Sequence, residues 1–66
     1  MNVKYSNVTV RLTDQDGNAF AIIGAVTKAL RRANVPEAEI DAVRGEMMNG
    51  DYDHLLQTAM KTVNVE

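Results

Sequence analysis

The stretch Ala19-Phe20-Ala21-Ile22-Ile23-Gly24-Ala25-Val26 has no polar side chain in it. It follows the turn-forming Asp14-Gln15-Asp16-Gly17-Asn18 and leads into Thr27-Lys28-Ala29-Leu30-Arg31-Arg32-Ala33. Ala19, Ile22, Ile23, Val26, Ala29, Leu30 and Ala33 recur at three- and four-residue intervals, so the spacing predicts one helix from about Asn18 to Ala33. Lys28, Arg31 and Arg32 stand near its C-terminus, where the helix dipole favours positive charge. The first two turns are apolar all the way round. A helix of that kind needs cover on every side, and a chain of 66 residues has little interior to provide it. The expected cover is a second copy, with Phe20, Ile23 and Gly24 close to the subunit contact. Ala21, Gly24, Ala25 and Lys28 share a face of small residues suited to close helix approach. The competing reading is packing of this helix on its own strand layer.

Outward from that helix, the chain reads as one α+β domain spanning residues 1–66. Residues 3–12 read as extended, with Val8, Val10 and Leu12 alternating with Thr9 and Arg11. Val3 and Tyr5 have the opposite parity, so either a bulge at Ser6-Asn7 reverses the facing, the favoured reading, or both faces are partly covered. Asn34-Val35 links to a second helix, with Pro36 in its first turn. Glu37, Glu39 and Asp41 crowd that helix's start, and Ile40, Val43 and Met47 line one face. Asn49-Gly50 stops it, with glycine taking the left-handed position. Asp51 caps a third helix, from about Tyr52 to Lys61, with Leu55, Leu56, Ala59 and Met60 on its apolar face. Val63-Asn64-Val65 alternates as a short second strand. The expected fold is β-α-α-α-β, with the terminal strands paired and the helices on one face.

Composition narrows the function classes. There is no cysteine and a single histidine, His54, so disulfides, thiolate zinc sites and multi-histidine metal sites are excluded, and no cofactor is implied. Oligomerisation is then the expected staple for so small a scaffold. There is no tryptophan, so the core should be aliphatic, supplemented by Met47, Met48 and Met60. A net charge of −2 argues against a general nucleic-acid-coating protein. The longest apolar run falls far short of the ~20 residues that span a bilayer, and no signal region precedes Tyr5. The expected location is the cytoplasm.

Asp16-Gly17-Asn18-Ala19-Phe20, Ala29-Leu30-Arg31-Arg32-Ala33 and Gly50-Asp51-Tyr52-Asp53-His54-Leu55-Leu56, with Met60 beyond, together resemble a family of very small, uncharacterised proteins encoded by bacteriophages, prophages and plasmids. The resemblance covers most of the chain from residue 14 on. It implies no catalytic residues. It implies an accessory role in a bacterial host cell: blocking a host or defence protein, or sequestering a nucleotide immune signal within an oligomer.

The residues offer several chemistries, each with a structural alternative. Gly17 and Asn18 at a helix N-terminus suit an anion, although Asp14 and Asp16 oppose one and a capped turn explains the same residues. A calcium loop over Asp14-x-Asp16-Gly17-Asn18 fails because Ala25 stands where the bidentate Glu belongs. Lys28, Arg31, Arg32, Arg44 and Lys61 form a phosphate patch, or else solvated helix termini with Arg32 or Lys28 paired to acids. Tyr5, Phe20 and Tyr52 suit base stacking, or else serve as core or interface anchors. Asp51, Asp53 and His54 are too few for a metal site and read best as a cap, a first-turn acid and a polar surface group. The candidate ligand-binding set is Gly17, Asn18, Phe20, Arg31, Arg32, Tyr52 and His54. The arginines lie roughly 20 Å from Asn18 along one helix at ~1.5 Å per residue, so a shared phosphate would need two antiparallel subunits. The leading expectation is a non-enzymatic oligomer that sequesters an anionic, nucleotide-type molecule. The alternative is an inhibitor or adaptor that binds a host protein through an exposed apolar, Met-rich patch.

Overall fold

The computed structural model describes residues 3–11 and 18–66. The elements follow in the order β1 (Tyr5–Val10), α1 (Ala19–Arg32), α2 (Glu37–Met47), α3 (Tyr52–Thr62) and β2 (Val63–Val65). The two strands pair in parallel, with Tyr5 opposite Val63, Thr9 opposite Asn64 and Val10 opposite Val65. Parallel neighbours need a long crossover, and here three helices supply it. This is the expected β-α-α-α-β arrangement. The alternation along β1, with Val8 and Val10 buried and Asn7 and Thr9 exposed, leaves one sheet face under the helices and the other open.

The anticipated bulge is present. Between Tyr5 and Thr9 the register slips, so β1 advances four residues while β2 advances one. The Asn64 side chain enters that gap and its Nδ2 donates to the Ser6 carbonyl, serving a backbone group that the slipped ladder leaves over.

Each helix has an identifiable start or stop. The Asn18 side chain accepts the Phe20 N–H at 2.8 Å, and the Asp51 side chain accepts the His54 N–H at 2.9 Å. Pro36 is the N-cap of α2, one position earlier than expected, and offers no side-chain bond. The end of α1 is more elaborate than a linker. Asn34 sits at φ 65°, its N–H reaches the Arg31 carbonyl, and the Val35 N–H reaches the Leu30 carbonyl, each at 3.1 Å. That pair of bonds closes the helix as a Schellman motif with asparagine in the left-handed place.

The core is aliphatic. Val26, Leu30, Ala59 and Val63 are fully buried, and Ile22, Ile40, Met47 and Leu55 nearly so. Two expectations about it are corrected. Met48 and Met60 are 58% and 53% exposed, so Met47 alone of the three lies inside. Met48 has rotated past the core face as the C-cap of α2, and Met60 lies one step round α3 from buried Ala59. The inner face of α3 is instead completed by Thr58 and Thr62, whose hydroxyls donate to the His54 and Thr58 carbonyls at 2.8 and 2.7 Å. Satisfying the hydroxyl one turn back lets threonine bury its methyl group. Thr27 does the same on α1, donating to the Gly24 carbonyl at 3.1 Å. Gly50 is also reinterpreted. Its φ is not in the left-handed region, and the constraint is contact: an added Cβ would lie 2.9 Å from His54 Cβ and Cγ.

Candidate functional site: an apolar hollow and a basic groove

The folded chain covers only one side of α1. Ile22, Ile23, Val26 and Leu30 face the core, while Phe20 is 79% exposed and Gly24 lies open to solvent. The uncovered side borders two separate depressions of opposite chemistry.

The first is an apolar hollow of about 310 Å³ between the start of α1 and the α2–α3 turn. Phe20 contributes from α1, Met48 from the end of α2 and Tyr52 from the start of α3, with Ile23, Met47 and Leu55 beneath them. Local chemistry fixes all three rim residues. The Asn18 cap sets where α1 begins and so aims Phe20. The Asp51 cap does the same for Tyr52. Met48 projects where α2 ends and its own N–H returns to the Arg44 carbonyl at 3.1 Å. Among the described residues no cationic side chain lines this hollow, and Asp51 stands on it. His54 lies just beyond, where its Nε2–H donates to the Glu46 carbonyl at 3.0 Å and ties α3 to the end of α2.

The second depression is a groove between β1 and α1. Two hollows of about 370 and 280 Å³ share Thr9, Ala29 and Arg32 and together run along β1 from Asn7 to Val10 and on to Arg11. Among the described residues, Arg11, Lys28 and Arg32 line it and no acidic side chain does. Gly24, Lys28 and Arg32 are spaced four apart and so form one stripe on α1.

The expected ligand set is therefore divided. Phe20 and Tyr52 meet at the apolar hollow, with Asn18 committed to capping beside it. His54 is bonded to α2. Arg32 is on the basic groove. Arg31 points elsewhere and grips Glu37, with Nε at 2.8 Å from one carboxylate oxygen and Nη2 at 3.3 Å from the other. That hydrogen bond raises the Arg31 pKa and lowers that of Glu37. So Arg31, not Arg32 or Lys28, is the α1 cation with an acidic partner among the described residues. Arg44 pairs with Asp41 at 2.9 Å, which removes it from any shared patch. Ile23, expected near a subunit contact, is 8% exposed and forms part of the floor of the apolar hollow. Gly17, and with it the anion-loop and calcium-loop readings, lies outside the described residues. Among the described residues no group of three His, Asp or Glu side chains is placed to hold a metal ion. No helix among them is long and apolar enough to cross a membrane.

No protein-family model, curated protein sequence or solved structure matches this chain. The geometry therefore carries the functional argument by itself. Sequence reading missed two residues of the groove, Thr9 and Arg11. Their shared parity in the alternating stretch Val8–Leu12 was the available signal, but only the packing of α1 against β1 brings them to Lys28 and Arg32.

Proposed function

We propose that this chain is a non-enzymatic accessory protein that binds a partner protein through the apolar hollow. The observation that carries this reading is the convergence of Phe20, Met48 and Tyr52, exposed by 79%, 58% and 46%, around one depression. Single exposed apolar residues are ordinary on protein surfaces, whereas a clustered apolar patch marks an interaction site. Covering a phenylalanine or methionine fully is worth about 1.5–3 kcal/mol each, and methionine adapts its shape to the surface it meets. The competing expectation, sequestration of a nucleotide, has less support at this place. The aromatic pair would suit a base, but among the described residues no cation lines the hollow to receive a phosphate, and Asp51 would repel one. The resemblance to phage- and plasmid-encoded proteins fits an accessory role in a bacterial cytoplasm.

The test is affinity capture from bacterial lysate with the parent chain and with Phe20→Ser and Met48→Ser, alongside sedimentation velocity and thermal melting. Both side chains are exposed, so melting temperatures should hold within a few degrees. The proposal expects a partner retained by the parent and lost by both variants. Retention of every partner by the variants would overturn it. So would a parent dimer that the variants dissociate, which would make the hollow a self-interface.

A further inference from the structure

The groove beside β1 has a shape and a charge that the apolar hollow does not explain. We infer that it is a docking site for an extended acidic peptide, which adds to β1 as a strand on the edge opposite β2. Three observations converge on this. The first is the strand edge. β1 pairs with β2 on one side, and no other described strand pairs with it. The Glu66 N–H donates to the Val10 carbonyl at 2.9 Å. Because backbone groups alternate in direction along a strand, those of Thr9 point the other way, into the groove. Inward Val8 and Val10 and outward Asn7 and Thr9 all line it, which places it along the strand's edge and not over one face.

The second observation is room. Four residues of β1, Asn7 to Val10, border the groove, roughly 13 Å of strand at ~3.3 Å per residue. The facing wall of α1 is built from Gly24, Ala25 and Ala29, whose small side chains leave the space unfilled. Among the described residues, a Cβ added at Gly24 would meet nothing within 4 Å beyond its chain neighbours and its own helix backbone.

The third is charge. Arg11, Lys28 and Arg32 flank the groove in a chain whose net charge is −2. Arg11 pairs with Glu66 at 3.6 Å, whereas no ion pair holds Lys28 or Arg32 among the described residues, so these two carry the charge argument. Strand addition draws affinity from main-chain bonds and specificity from alternate side chains. Carboxylates at alternate positions of the incoming peptide would meet these cations. A second copy of the chain is disfavoured as occupant, because pairing β1 with β1 would bring both sets of cations together.

The test uses the intact chain, isotope-labelled, titrated with a synthetic heptapeptide of alternating glutamate and valine while amide shifts are followed. Three comparison probes are the same peptide N-methylated at alternate residues, an alternating lysine–valine peptide, and a short single-stranded oligonucleotide. The expected result is saturable shifts at Thr9 and along Gly24–Arg32 with the acidic peptide. The N-methylated peptide should bind at least about tenfold more weakly, the cost of losing one or two main-chain bonds. Lys28→Gln and Arg32→Gln should each weaken binding about three- to tenfold without lowering the melting temperature. Phe20→Ser should leave it unchanged, so failure here is separable from failure of the apolar hollow. Absence of saturable shifts, equal binding of the N-methylated or lysine peptide, or tighter binding of the oligonucleotide would each overturn the inference.

Discussion

Tyr5 Oη donates to Glu39 Oε1 at 3.1 Å, and Lys4 Nζ reaches the same oxygen at 3.2 Å. These bonds fasten the first strand to the second helix across 34 and 35 residues of chain. Hydrogen bonds from Lys4 and then Tyr5 hold the Glu39 carboxyl below its ordinary range. Tyr5 is pushed up, first by burial and then by its bond to Glu39, and Lys4 is raised by Glu39. A carboxyl with a lowered folded pKa contributes stability that is present above its unfolded pKa and lost as pH falls through the folded one. The raised Tyr5 and Lys4 work in the opposite sense, with stability present at neutral pH and lost as pH rises through their folded values. Melting temperature should therefore fall on acidification below about pH 4.5, where carboxyls protonate. Glu39→Gln should flatten that acid limb and lower the neutral-pH plateau. An unchanged acid limb in the variant would show that Glu39 is not the group responsible.

The cap of α3 gives a second expectation. Asp51→Ala removes the bond to the His54 N–H and should cost about 0.5–2 kcal/mol, read from chemical denaturation. Asp51→Ser should recover most of it, since a serine hydroxyl accepts the same bond. Asp51 also borders the apolar hollow, so partner capture by the folded Asp51→Ala variant should match the parent at low temperature. A variant with the parent's stability but no capture would make Asp51 a contact residue instead of a cap.

Gly50 and His54 form a pair whose coupling can be measured. A methyl group at Gly50 would stand 2.9 Å from His54 Cβ and Cγ, close to the backbone and unable to swing aside cheaply. Overpacking of this kind typically costs about 1–3 kcal/mol. His54→Ala loses the bond to the Glu46 carbonyl but keeps its Cβ, so it relieves the contact only in part. The expected double-mutant cycle for Gly50→Ala and His54→Ala shows a favourable coupling beyond the error of additivity, about 0.3–0.5 kcal/mol. Strict additivity would mean that the turn moves away from His54 freely.

Local signals were the legible part of this fold. The Asp51 cap, the Ser6-Asn7 bulge, the inner face of α2 and the element order all follow from residues close together in sequence. What escaped depends on how the elements pack. Thr58 and Thr62 go without an assignment because the letter does not show a hydroxyl bonded one turn back. Met48 and Met60 read as core because an apolar residue beside a core position is only about 100° away from it on a helix. Asn34 read as linker although it ends α1 in the left-handed conformation. Arg31 and Arg32 are neighbours with different fates, one gripped by Glu37 and one on the basic groove, and only the placement of α2 and β1 separates them. The division of the ligand set between two depressions follows from the same cause.

Gly24 offers the sharpest test of how α1 is used. Glycine inside a helix costs about 0.8–1 kcal/mol relative to alanine. Among the described residues nothing compensates for that cost, since an added Cβ meets no neighbour within 4 Å beyond the adjacent residues and the helix backbone. Gly24→Ala should therefore stabilise the chain by about that amount in chemical denaturation. If α1 instead packed closely against a second copy at Gly24, the added methyl would push the helices apart and lower stability in a concentration-dependent way. Denaturation midpoints measured over a hundredfold range of protein concentration, paired with sedimentation velocity, separate the two outcomes. A concentration-independent gain leaves Gly24 as an open wall of the basic groove. A loss that deepens on dilution places it in a subunit contact.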